Sequence, residues 1–229
     1  MDAIILAAGL GTRLRPHTLT TPKPLLAIRG RPILDWTLAA LPKAVNRVVV
    51  VTHYLAEQME SYLQQQTHFR DWVTVFQQTP RGTGDAFKSC RNSVKADRYL
   101  VLNGDDLYGA SDLARLAEKP MGMLVHAVDE PRKFGIVFSR PDGTLETLVE
   151  KPDLTGRQMA NIGAYLFPRD AFDIDLPLSP RGEYEITDSV SALAARKTFY
   201  TVEARAWLPI GDEAAWRRAE ELDLETVLA

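Results

Sequence analysis

The stretch Ala3-Ile4-Ile5-Leu6-Ala7-Ala8 is wholly apolar, and Gly9-Leu10-Gly11-Thr12-Arg13-Leu14-Arg15-Pro16 follows it at once. A short apolar run closed by glycine reads as a buried first strand. The pattern returns along the first half. Residues 47–52 carry four consecutive valines, Val48 to Val51. Such a run suits a strand covered on both faces, as in parallel sheets. Residues 72–76 and 99–103 read as further strands. Helical stretches separate them at 33–44 (with Pro42 near its end), 55–66 and 84–94. This βαβαβ alternation predicts an α/β fold, a doubly wound and mainly parallel sheet of Rossmann-like type. After about Met121 the pattern shifts to hairpin-like strands at 123–128, 134–139, 145–150 and 161–167, with a turn at Pro141-Asp142-Gly143. Helices are expected at 185–197 and 213–224. No linker and no repeat divides the chain, so residues 1–229 read as one domain, with 121–229 as its less regular part.

Composition bounds the function. The 229 residues are 45% apolar and 25% charged, the balance of a globular protein. One cysteine, Cys90, excludes a disulfide scaffold. No run approaches the roughly 20 apolar residues of a membrane span. The start of the chain lacks the basic flank of a signal peptide, so a cytoplasmic protein is expected. A net charge of -3 argues against nucleic acid as a partner. That charge is uneven. Residues 3–34 hold no carboxylate but five basic residues, Arg13, Arg15, Lys23, Arg29 and Arg31, which leaves the remainder at -8. A cationic segment in an acidic chain suggests a local anion site.

The loop at 9–16 lies beyond the carboxyl end of a strand, where open α/β sheets bind ligands. Its glycines allow backbone N–H groups to approach phosphate oxygens. It is not a Walker A loop, because no Gly-Lys-Ser/Thr follows. As a dinucleotide fingerprint it is defective: Leu14 stands where the third glycine belongs, and the later acidic residue is missing. Arg13 and Lys23 suit a phosphate-rich ligand instead. A second loop, Gln77-Gln78-Thr79-Pro80-Arg81-Gly82-Thr83-Gly84-Asp85, offers Gln77 to read a base edge and Gly82 to let backbone approach a flat ring. A third, Asn103-Gly104-Asp105-Asp106, ends a strand in carboxylates that can hold Mg²⁺ jointly with phosphates. The four histidines show no metal spacing, and Cys90 reads as a small buried hydrophobe.

The segment from Leu6 to Pro16, followed by Thr18 and Pro22-Lys23-Pro24, resembles the sugar-1-phosphate nucleotidyltransferases, or nucleotide-sugar pyrophosphorylases, in their short single-domain form. Gly82-Thr83-Gly84, Asn103-Gly104-Asp105, Phe134-Gly135-Ile136-Val137, Glu150-Lys151-Pro152, Asn161-Ile162-Gly163 and Arg181-Gly182-Glu183-Tyr184-Glu185-Ile186-Thr187-Asp188 extend the likeness over nearly the whole chain.

The resemblance implies a nucleotidyltransferase fold, with residues 1–120 as the nucleotide half and 121–229 as the sugar half. It implies transfer of a nucleotidyl group from UTP, or next dTTP, to a sugar-1-phosphate, with pyrophosphate released. Arg13, Lys23 and Asp105 would be catalytic, with Asp105 holding Mg²⁺. Leu6, Ala8, Gly9, Gly11, Thr12, Gln77, Gly82 and Thr83 would bind the nucleotide. Gly135, Glu150, Lys151, Asn161 and Arg181 would bind the sugar phosphate. Partners would be those two substrates, with no nucleic acid or membrane, and the chain would be a monomer or small homo-oligomer. Its length leaves room for the transferase alone, without the repeats of longer relatives.

One departure stands out. The family carries a second metal-binding Asp in a late Trp-x-Asp-x-Gly segment, and Trp207-Leu208-Pro209-Ile210-Gly211-Asp212 places Pro209 there. Asp212 substituting, Asp105 acting with phosphates alone, and a non-catalytic nucleotide-sugar binder all remain open on the sequence.

Overall fold

The computed structural model describes residues 1–229. The chain opens with strand β1 (Asp2–Leu6) and a loop of short helical turns. The two-residue strands β2 (Ala27–Ile28) and β3 (Arg31–Pro32) pair as a ribbon, turned by Arg29 and Gly30 at positive φ. Helix α1 (Ile33–Ala40) follows. It stops four residues before the expected end because Leu41 precedes Pro42 and sits extended, φ -63°, ψ 137°. Next come β4 (Arg47–Thr52), α2 (Ala56–Gln65), β5 (Trp72–Phe76), α3 (Thr83–Ser89) and β6 (Arg98–Asn103). Beyond Ser89 the chain leaves the α-helix for turns, with Cys90 N–H bonded to Phe87 three residues back.

Two elements then depart from the sequence reading. Strand β7 (Asp106–Tyr108) and helix α4 (Ala110–Ala117) fill a stretch in which no element was expected. Strands β8 (Gly122–Val128), β9 (Gly135–Ser139), β10 (Leu145–Glu150) and β11 (Gln158–Pro168) follow. β11 outruns the expected strand at both ends, because Gln158 to Ala160 pair with β8 and Pro168 pairs with Arg98 of β6, while Gly163, at φ 75°, lies in a register shift within it. Helix α5 (Ile186–Ala194) leads to β12 (Tyr200–Glu203) and β13 (Trp207–Pro209), both absent from the sequence reading. The helices α6 (Glu213–Glu220) and α7 (Leu224–Val227) close the chain.

The central sheet has nine strands, with the path β10-β9-β11-β6-β1-β4-β5. β8 joins it through β11 and carries β12. The first-half strands β5, β4, β1 and β6 are all parallel, as their apolar runs predict. β11 runs antiparallel to β6 and joins the two parts of the sheet. Successive side chains alternate between its faces. Ile4, Val49 and Val101 pack with Phe87 of α3 and Val190 of α5 on one side. Ile5, Val50 and Leu102 pack with Leu38, Met59 and Leu113 of α1, α2 and α4 on the other. Leu14, Trp36, Leu107, Ile210 and Leu224 form a smaller core that ties the first loop to the C-terminal helices. No helix is long and apolar enough to cross a membrane.

Candidate active site

The carboxyl ends of β1, β5 and β6 lie on one edge of the sheet, and a cavity of about 510 Å³ opens there. Its lining includes Leu6, Ala8, Gly9, Gly11, Thr12, Arg13, Lys23, Gln77, Gly82, Thr83, Asp105 and Arg181. Three loops widely separated in sequence therefore meet at one place.

The first loop is held from below. Leu14 is buried, and the Thr18 hydroxyl donates to the Gly11 carbonyl at 2.8 Å. Gly11 sits at φ 59°, and a Cβ there would stand 2.8 Å from the Thr18 methyl. Glycine is thus required by both conformation and space. With Leu14 turned inward, Arg13 stays exposed at the cavity mouth, and its Nη1 lies beside Gly211.

Gly104 brings the third loop against the first. Its N–H donates to the Leu6 carbonyl at 2.9 Å, and a Cβ would sit 2.8 Å from that oxygen and 3.0 Å from Ala7 Cα. This close approach sets Asp105 beside Lys23, whose Nζ donates to Asp105 Oδ2 at 2.6 Å. The lysine side chain is 10% exposed and the aspartate 44%. A carboxylate and an ammonium thus share the cavity floor, one of them open to an incoming ion. The neighbouring Asp106 points the other way and is buried. Burial, then the charge of Asp105, pushes its carboxyl well above the usual carboxylate range, against the pull of Lys23.

The second loop carries a steric constraint of its own. Gly82 lines the cavity, yet the space a Cβ would need is taken by the Tyr184 carbonyl at 2.5 Å. A Cβ at Gly84 would also meet that carbonyl, at 2.9 Å. Backbone hydrogen bonds stitch the segments: Gly84 N–H to Tyr184 O and Tyr184 N–H to Arg81 O, both 2.8 Å. The close backbone neighbour demanded by these glycines belongs to the chain itself.

Of the residues expected on the sugar side, Arg181 reaches the cavity, whereas Gly135, Glu150, Lys151 and Asn161 do not line it. They gather just beyond. Arg181 Nη2 is 2.7 Å from Glu185 Oε1 and 3.8 Å from Glu150 Oε1. A Cβ at Gly135 would stand 3.1 Å from Glu150 Oε2 and 3.8 Å from Asn161 Cβ. Asn161 itself donates to the Tyr165 hydroxyl at 2.8 Å and accepts from Gly163 N–H. Lys151, at φ 42°, approaches Glu150 at 3.7 Å. The lining also includes Asn103, Gly104, Glu183, Glu185 and Gly211, to which the sequence reading gave no role. All but Gly211 lie inside the two motifs that supplied Asp105 and Arg181, so position within a motif was the available signal.

The late segment resolves around Pro209. It pairs with Asp106 in the β13–β7 ribbon, and Asp212 Oδ1 accepts from Ala215 N–H as the N-cap of α6. Asp212 is therefore committed to its helix. No group of three or more His, Cys, Asp or Glu side chains could hold an ion by itself. Mg²⁺ commonly takes one or two protein carboxylates and fills its shell with phosphate oxygens and water. The open carboxylate of Asp105 fits that mode.

A family model described as nucleotidyl transferase matches residues 2–226. The chain is 32% identical over 217 residues to the bifunctional protein GlmU of Methanococcus maripaludis, covering 92% of this chain and 51% of that one. It is 31% identical over 203 residues to the low-salt glycan biosynthesis nucleotidyltransferase Agl11 of Haloferax volcanii, covering 84% and 57%. The chain thus spans about half the length of these relatives. A UDP-glucose pyrophosphorylase solved with UDP-glucose superposes with a TM-score of 0.84 over 99% of this chain and 100% of its own, at 22% identity. That likeness concerns the fold.

Proposed function

The chain belongs to the nucleotidyl transferase family, and from that premise we propose that it joins a nucleoside triphosphate, UTP first and dTTP next, to a sugar-1-phosphate, giving a nucleotide sugar and pyrophosphate. The observation that carries this reading is the single cavity on which the glycine turn, Arg13, Lys23, Asp105 and Gln77 converge.

The reaction joins two polyanions. The sugar-phosphate oxygen attacks the α-phosphorus, the bond to the bridging oxygen breaks, and pyrophosphate departs with the electron pair. The nucleophile already carries its charge, so no general base is required. Catalysis then rests on positioning and on charge neutralisation. Backbone N–H groups from Ala8 to Thr12 would cradle the triphosphate. Arg13, exposed at the mouth, would clamp the β- and γ-phosphates in a fork. Lys23 would steady the α-phosphate, turning from Asp105 toward it. Mg²⁺, held by Asp105, would supply neutralisation of phosphate charge.

Gln77, Gly82 and Thr83 would face the base and its ribose. Arg181 would meet the sugar phosphate at the cavity edge, with Gly135, Glu150, Lys151 and Asn161 beyond it around the sugar. In this scheme residues 1–120 form the nucleotide half and 121–229 the sugar half of one domain, acting on small molecules in the cytoplasm.

The test is a pyrophosphate-release screen with Mg²⁺, pairing each of four or five triphosphates with six sugar phosphates. Release that depends on both substrates and the ion is expected. No release from any pair would refute the reading. Pro209 and the engaged Asp212 favour one competitor, a nucleotide-sugar binder without turnover. It would show saturable binding of a finished nucleotide sugar and no pyrophosphate.

A further inference from the structure

Gln77 is fixed more firmly than base reading alone explains. It is only 4% exposed although it lines the cavity. Its N–H donates to the Thr52 carbonyl at 2.8 Å, and His53 Nδ1 lies 2.7 Å from its carbonyl. Its side-chain Nε2 donates to Asp85 Oδ2 at 2.8 Å. Asp85, in the first turn of α3, accepts from Arg81 Nη2 at 3.2 Å through its other oxygen. The Arg81 guanidinium in turn lies 5.5 Å from the centre of the Tyr184 ring.

The chemistry of this chain of contacts is directional. An ionised carboxylate only accepts hydrogen bonds, whereas an amide has one donating and one accepting end. The end facing Asp85 must therefore be the NH₂. Flipping the amide would set two acceptors against each other in a buried place, which is costly. Oε1 is left as the end without a protein partner. Uracil and thymine carry a ring N–H between two carbonyls, and guanine also has a ring N–H. Cytosine and adenine present a bare ring nitrogen, an acceptor, at the corresponding edge.

We propose that Asp85 is a specificity-determining positioning residue. It holds the Gln77 amide with its oxygen toward the base and so selects bases that bear a ring N–H. This deepens the transferase reading and rests on it for the ligand class. Asp85 touches neither substrate, so its effect falls on the choice among triphosphates.

The experiment measures UTP and CTP binding by calorimetry, and kcat/KM with each, for the wild-type protein and three variants. The wild type should favour UTP over CTP by about 10- to 100-fold, the size of one satisfied against one frustrated buried hydrogen bond. Asp85→Asn, which can face Gln77 with either end of its amide, should shrink that ratio about tenfold. Asp85→Glu, again an acceptor only, should restore much of it. Gln77→Met removes the reading group and should bring the ratio near unity, which keeps the test open should Asp85→Asn fold poorly. A wild type that binds CTP as tightly as UTP would overturn the assignment. So would an Asp85→Asn variant that weakens both nucleotides by one factor, since that is the mark of a merely structural role. Selective UTP binding without pyrophosphate release would support Asp85 while refuting the transferase reading.

Discussion

Gly104→Ala tests the close approach that assembles the site. The new Cβ would meet the Leu6 carbonyl at 2.8 Å and Ala7 Cα at 3.0 Å, where ordinary contact begins near 3.4 Å. Both neighbours are backbone, so no side chain can swing aside. The two loops must part by about 0.6 Å, the difference between 2.8 and 3.4 Å. The Gly104 N–H to Leu6 bond, now 2.9 Å, would stretch toward the limit of a hydrogen bond. Overpacking of this kind costs about 1–3 kcal/mol. For a chain of this size each kcal/mol lowers the melting temperature by about 2–4 °C, so a drop of roughly 2–12 °C is expected. The same displacement moves Asp105 relative to the glycine turn. Misplacement on this scale can cost about 10²-fold in turnover. Gly9→Ala is the stability control, because a Cβ there meets nothing within 4 Å. Thermal melts of both variants and pyrophosphate-release assays of Gly104→Ala decide the matter. If Gly104→Ala melts and turns over like the wild type, the two loops are not locked as argued.

Arg13→Ala and Lys23→Met should each lower kcat by about 10²- to 10³-fold, as loss of a transition-state charge partner does, while circular dichroism stays native; near-normal rates in either would remove that residue from the mechanism. Asp212→Ala should lose an N-cap worth about 1 kcal/mol and melt slightly earlier, with activity kept; a fall of orders of magnitude would instead make Asp212 the missing metal carboxylate. Burial pushes the Cys90 thiol from 9.0 up to about 12. The folded thiol therefore holds its proton through a range where the unfolded one has lost it, so stability falls as pH rises from about 9 to about 12. Cys90→Ala should flatten that slope in denaturant melts taken across the range, and an unchanged slope would assign it elsewhere.

The parallel half of the sheet was legible because its strands are buried on both faces. Val48 to Val51 left no other reading, and Ile4 and Val101 repeat the pattern beside them. The glycine turn with Arg13 and Lys23 stood out in the sequence because charge and backbone freedom coincide there, and the structure sets both side chains on one cavity. Elements short of residues were not. β13 is three residues long and is defined by pairing with β7, a contact between positions about one hundred apart. Within α4, Asp112 is fully buried and accepts from Arg205 and Ala206 N–H groups, a tertiary use that makes a core helix look polar. The extent of α3 was overestimated because residues 90–94 keep an apolar rhythm while the backbone turns. Asp85 escaped notice for a related reason. Its contact with Gln77 is local in sequence, yet nothing in the spacing tells which end of the amide it faces.

The stitch between Arg81-Gly82-Thr83-Gly84 and Tyr184 has a consequence for engineering by recombination. A chimera that takes residues 1–120 from one relative and 121–229 from another would join a loop to a strap it did not evolve with. Any side chain larger than hydrogen at 82 or 84 would collide with the inherited carbonyl, and a strap of different path would leave the Gly84 and Tyr184 amides without acceptors. Grafts of the first half would therefore need to carry residues 179–186 along with it, whatever the origin of the rest of the second half.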